Sequence, residues 1–185
     1  MKINMGCGMD YREGYVNCDI EASVRSDMTF DMLKFPWPFD ENSSSEILFS
    51  HVLEHVPGIM INDRDAFVQI MEECYRILRK NGTIQVIGPH WSMKPTHYLG
   101  QPTHYRMIGP WTFQTFDPVL STQMRYCSSA RLKVVRAWTT KREAPFARNL
   151  TIGQWGLTTH LRDRVFGRLL NWVPYEGTIT VRALK

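Results

Sequence analysis

The stretch from Glu46 to Ile87 constrains the fold more than any other part of this 185-residue chain. Glu46-Ile47-Leu48-Phe49 is a short apolar run without the polar alternation of a half-exposed strand, which suits a parallel strand covered on both faces. From Asn62 or Asp63 to Asn81, the residues Phe67, Ile70, Met71, Cys74, Ile77 and Leu78 fall on one stripe at helical spacing. Acids open this segment, Arg76, Arg79 and Lys80 close it, and Gly82 stops it. Thr83 to Ile87 then reads as a strand. Strand, helix, strand is the right-handed crossover unit, so an α/β protein on a mostly parallel sheet is expected.

The N-terminus adds a second constraint. Residues 2–5 read as a strand that runs into Gly6-Cys7-Gly8, and residues 15–19 as another that ends in Asp19. Two glycines let backbone pass close to a ligand where a Cβ would collide, and a carboxylate one strand over can accept both ribose hydroxyls. A lone G-x-G occurs by chance in many chains, so its meaning depends on what surrounds it.

With 43% hydrophobic residues, the chain is expected to form one domain, 1–185, with a core of its own. No run of about 18 apolar residues and no basic, apolar leader is present, which points to a cytoplasmic protein. Cys7, Cys18, Cys74 and Cys127 lack any C-x-x-C spacing and are expected to be reduced thiols. Charge is unevenly spread: residues 1–80 carry a net −6 and residues 131–185 a net +8. An acidic first half suits a cationic ligand. The basic third suits an anionic substrate, a nucleic acid or a membrane surface, or is simply a solvated face.

Residues 88–125 dissolve into prolines, histidines and aromatics and leave the carboxyl end of a central strand. They are expected to be a substrate-side loop or lid reaching to about residue 130 and carrying one short helix. Strands are expected at 131–139 and 177–184, with an amphipathic helix at 154–172 that either packs on the sheet with exposed arginines or lies on a membrane surface.

Taken together, the chain resembles class I S-adenosylmethionine-dependent methyltransferases, in particular the small ones described as methyltransferase type 11. The likeness covers most of residues 2–90. It rests on Met5-Gly6-Cys7-Gly8, Asn17-Cys18-Asp19-Ile20, Asp31-Met32-Leu33 with Phe35-Pro36-Trp37-Pro38-Phe39, Ser45 to Val56, and Glu73 to Gly82. The resemblance implies a Rossmann-like, mostly parallel sheet with helices on both faces and a terminal antiparallel strand. It implies S-adenosylmethionine as cofactor, with Gly6, Cys7 and Gly8 beside its methionine part and ribose, Asp19 on the ribose hydroxyls, and Asp31 and Met32 by the adenine. Ser50 and His51 would lie near the reactive methyl, and Met5 and Ile20 complete the cofactor-binding set. The sequence departs from the family at Asn4, where an acidic residue is usual, and at Asp10, where a third glycine is frequent. Only six residues follow Gly8 up to and including Gly14, too few for the usual first helix, so a pared-down pocket is expected.

The implied reaction is methyl transfer to an oxygen or nitrogen of a small or sugar-like acceptor. His104 and then His90 are the candidates for a base or substrate contact, with loop packing as the alternative. No metal site is expected. His90, His97 and His104 are seven apart, but Pro89, Pro95 and Pro102 interrupt the helix that would align them. His51-Val52-Leu53-Glu54-His55 has the wrong order for a metalloprotease motif, which leaves His51 to the pocket and His55 to a helix surface. Two rivals remain: a methyltransferase-fold binding protein without turnover, and an RNA methyltransferase using the basic third.

Overall fold

A computed structural model of the chain describes residues 1–91, 99–120, 128–140, 151–152 and 176–185. The apolar strands read from the sequence pair with one another. Ile3 and Met5 of β1 (Lys2–Met5) stand beside Val16 and Cys18 of β2 (Val16–Asp19) on one side. On the other side they stand beside Ile47 and Phe49 of β4 (Ser44–Ser50). The short β3 (Met28–Thr29) extends the sheet beyond β2. A separate hairpin of β5 (Met60–Ile61) and β6 (Arg64–Asp65) leads into helix α1 (Ala66–Ile77), and the chain returns as β7 (Leu78–Pro89), parallel to β4. After the short helix α2 (Pro110–Gln114), β8 (Leu132–Thr140), β9 (Thr151–Ile152) and β10 (Glu176–Ala183) complete one eight-stranded sheet, ordered β3-β2-β1-β4-β7-β10-β8-β9. β10 inserts antiparallel between β7 and β8.

The expected α/β class and terminal antiparallel strand are therefore present. Among the described residues α1 is the one helix longer than two turns, and the helix expected at 154–172 lies outside them. The strands expected at 131–139 and 177–184 are β8 and β10, and the short helix expected in the 88–125 loop is α2.

Helix α1 is shorter than its apolar stripe suggested, for reasons at both ends. Asn62 and Asp63 both adopt positive φ, 50° and 60°, and form the two-residue turn of the β5–β6 hairpin. Asp65 then caps the helix, its side chain accepting from the Phe67 and Val68 amides at 2.9 and 3.4 Å. At the far end Leu78 is already extended and pairs with Ser44. The ladder resumes only at Thr83, opposite Glu46, so residues 79–82 bulge out of it.

Alternation along the strands separates two unlike faces. On one, Ile3, Met5, Ile47, Phe49, Ile84, Val86, Ile179 and Val181 join the stripe of α1 in one buried core. The Phe-Pro-Trp-Pro-Phe segment closes its edge. Glu73 of α1 accepts from the Trp37 amide at 2.8 Å, and Arg76 donates to the carbonyls of Phe39 and Trp37. The opposite face reads Asn17, Asn4, Leu48, Gln85, Thr180 across the register. Asn4 and Asn17 are buried, at 1% and 0% exposure, and the loop after Gly8 covers them by hydrogen bonding instead of apolar packing. The Asn4 side-chain amide donates to the Asp10 carbonyl at 2.8 Å and to the Asn17 side-chain oxygen at 3.0 Å. Asn17 exchanges bonds of 2.8 and 2.9 Å with the Arg12 backbone. The two departures from the family pattern thus belong to one feature: Asn4 and Asp10 anchor the loop that replaces the missing helix.

Candidate functional site

β1, β2 and β4 all end at the same edge of the sheet, and a cleft of about 290 Å³ opens there. That is the small end of the usual range for small-molecule sites, roughly 300–1,000 Å³. Met5 and Gly6 come from the end of β1, Cys18, Asp19 and Ile20 from the end of β2, and Phe30 to Leu33 from the segment after β3. His51, Val52 and His55 to Pro57 come from the turn after β4. The position is the one at which open α/β sheets bind ligands.

Gly6 has φ 66°, and a Cβ built on it would lie 2.7 Å from Cγ2 of Val52. Only glycine lets β1 turn there against the wall formed by Val52. The turn is then tied to β2. The Gly8 amide donates to Asp19 Oδ2 at 2.7 Å and the Glu21 amide to Oδ1 at 2.9 Å, so both carboxylate oxygens are held in place by backbone. Asp31 is fixed in the same way, its Oδ1 accepting from the Leu33 amide at 2.9 Å. Ile20, Phe30, Met32 and Leu33 add apolar wall beside these two acids.

Of the ten residues expected to bind cofactor, Met5, Gly6, Asp19, Ile20, Asp31, Met32 and His51 line the cleft. Cys7, Gly8 and Ser50 do not. The Cys7 thiol points to the Arg25 carbonyl at 3.7 Å, and burial first and the Asp19 charge second raise its pKa, which leaves it an inert turn residue. Gly8 spends its amide on Asp19, and Ser50 pairs with Ile87 as the last residue of β4. Seven residues outside the expected set also line it: Cys18, Phe30 and Leu33 beside the two acids, and Val52, His55, Val56 and Pro57 from the turn after β4. His55 was expected on a helix surface. The segment is instead a single 3₁₀ turn, Leu53–His55, which brings the ring round to the cleft.

His51 sits at φ 56° between two carboxylates, with Nε2 2.8 Å from Glu176 Oε1 and Nδ1 3.5 Å from Glu54 Oε1. The Glu176 carboxylate, and after it Glu54, push its pKa up to about 9, so the ring is an imidazolium at neutral pH and no base. His90 is fully buried, stacks on Trp91 at 4.3 Å between ring centroids, and does not line the cleft. His104 lies one residue back from the cleft, edge-on to His55 at 5.0 Å. His97 and Cys127 fall outside the described residues, as does most of the basic third. Cys7, Cys18 and Cys74 are buried free thiols. Among the described residues no helix is long and apolar enough to cross a membrane.

No protein-family model matches the sequence, and no curated protein does. Solved structures match over nearly the whole chain. A SAM-dependent methyltransferase from Archaeoglobus fulgidus is 14% identical with a TM-score of 0.57, covering 98% of this chain and 85% of that one. A SAM-dependent methyltransferase from Thermotoga maritima, described as a possible histamine N-methyltransferase, is 10% identical with a TM-score of 0.53, covering 100% and 81%. The methyltransferase in a Haloferax volcanii complex with the Trm112 activator is 14% identical with a TM-score of 0.51, covering 98% and 81%. At these identities the likeness is one of fold, and the fold is that of class I SAM-dependent methyltransferases.

Proposed function

We propose that the chain binds S-adenosylmethionine in the cleft and transfers its methyl group to an oxygen or nitrogen of a small or sugar-like acceptor. The observation that carries this reading is Asp19. Its carboxylate is held at the end of β2 by two backbone amides, beside the glycine turn of β1, on a methyltransferase fold. Each oxygen keeps a lone pair for one hydroxyl of a ribose, and the geometry is set before the ligand arrives.

The other lining residues divide the remaining work. Ile20, Phe30, Met32 and Leu33 make an apolar slot suited to a purine, with Asp31 at its edge as acceptor for an exocyclic amine. Gly6 keeps the neighbouring wall free of side-chain atoms. S-adenosylmethionine supplies an electrophilic methyl for in-line displacement, so the protein's contribution is alignment and exclusion of water. Asp19 and Asp31 give the cleft a negative character that favours a sulfonium cation. His51, already protonated between Glu54 and Glu176, orients those acids and takes no proton from the acceptor. His104, edge-on to the cleft-lining His55, is our candidate for contact with the acceptor.

Equilibrium dialysis against S-adenosylmethionine, S-adenosylhomocysteine and NAD tests the assignment. Binding of the first two without NAD is expected. Preference for NAD, or binding of none, would overturn it.

A further inference from the structure

Beside the cleft the fold assembles a second constellation from residues far apart in sequence. Glu54, His55 and His104 each present a ligand atom, and these atoms lie within 4.8 Å of one another. We propose that these three residues hold a divalent transition-metal ion of the zinc type.

Three observations carry the proposal. First, the donor set is two imidazoles and a carboxylate, the combination that zinc and its neighbours take, with at least one coordination position left over. Second, the His55 ring is set in the tautomer a metal requires. Its Nδ1 lies 2.8 Å from the Thr103 carbonyl oxygen, which can only accept, so Nδ1 carries the hydrogen and Nε2 the lone pair. Third, the Glu54 side chain is 3% exposed, yet among the described residues its Oε1 makes no hydrogen bond, and its cationic neighbour, the His51 ring, stands off at 3.5 Å. A buried carboxylate oxygen without a hydrogen bond is costly, and a metal ion at bonding distance would complete it where the more distant imidazolium does not.

The two segments are also clamped together independently of any ion. The Tyr105 and Arg106 amides donate to the Glu54 carbonyl at 2.8 and 3.3 Å. The Arg106 guanidinium donates to the Val56 and Pro57 carbonyls, both at 3.1 Å, and to Asp65 at 2.6 Å. The ligands therefore sit on a braced framework, and their atoms, already within 4.8 Å of one another, would close to the roughly 3.4 Å between ligand atoms around a zinc ion. Because His55 lines the cleft as well, the open coordination position falls to an acceptor oxygen, whose proton the metal would loosen. That use of the ion rests on the proposed methyltransferase reading; the site itself does not.

The test uses the whole chain, stripped with a chelator and titrated with Co²⁺ in place of zinc, without S-adenosylmethionine. Visible d–d bands saturating at one ion per chain and displaced by Zn²⁺ are expected, with no thiolate-to-cobalt charge transfer. His104→Ala and His55→Ala should each weaken Co²⁺ binding at least about tenfold, given that losing even a group that only hydrogen-bonds a ligand costs about 10- to 100-fold. Zn²⁺ should raise the melting temperature of the parent chain but not of His104→Ala. Absence of d–d bands in the parent chain, a thiolate band, or binding unchanged in both variants would overturn the site. Dialysis of S-adenosylmethionine against the metal-free chain reports separately on the cofactor cleft.

Discussion

Replacing Asn17 with alanine should remove the anchor on which the helix-less N-terminus depends. Asn17 is 0% exposed, and besides its contacts to Asp27 its side chain makes four hydrogen bonds. It accepts from the Arg12 amide at 2.8 Å and from the Asn4 side chain at 3.0 Å, and donates to the Arg12 and Tyr15 carbonyls at 2.9 and 3.1 Å. At a net ~1 kcal/mol per bond the loss approaches about 4 kcal/mol. Water can reach the freed Arg12 and Tyr15 backbone, both only half-buried, so about 2–4 kcal/mol is the expected range. For a chain of this size that is roughly 4–16 °C in melting temperature. Urea unfolding of Asn17→Ala should show a lowered midpoint with an unchanged slope. In a double-mutant cycle with Asn4→Ala, the pair should couple by about 1 kcal/mol, since the two side chains share a buried bond. A loss below about 0.5 kcal/mol, or strict additivity with Asn4→Ala, would refute the view that this network replaces the first helix.

Two further outcomes follow from single residues. Gly6→Ala should destabilise by at least ~1–2 kcal/mol from its φ of 66° alone; Val52→Ala should relieve the contact and leave that backbone cost, as melting curves of the single and double variants would show. Tyr15 hydrogen-bonds Glu46, and burial first and that bond second push its pKa up to about 12 from 10.0. The unfolded chain ionises first as pH rises, so this contribution is complete below about pH 10 and disappears by about pH 12; Tyr15→Phe should flatten the alkaline limb of urea midpoints measured between those values.

Local patterns made much of this protein legible. The α1 stripe and its flanking apolar strands specify the crossover, and the glycine turn with Asp19 and Asp31 marks the cleft, because in each case the signal lies within a few residues. What stayed hidden depends on pairing across the fold or on one backbone angle. Asn62-Asp63 looks like an acidic helix start, yet two positive φ values make it a hairpin turn. His55 looks like a helix surface residue, yet a 3₁₀ turn aims it at the cleft. Asn4 and Asp10 look like losses from a motif, and only the bond between them shows what replaced it. No spacing relates Glu54 and His55 to His104, because Arg106 and the Glu54 carbonyl bring together segments that lie 50 residues apart.

The most direct test of the central claim is titration calorimetry of S-adenosylhomocysteine into the parent chain and into Asp19→Ala. One saturable site is expected in the parent chain. Binding at least tenfold weaker is expected in a variant that still melts cooperatively, the equivalent of about 1.4 kcal/mol from ribose hydrogen bonds on a half-exposed carboxylate. No heat in the parent chain, or equal affinity in both proteins, would contradict it.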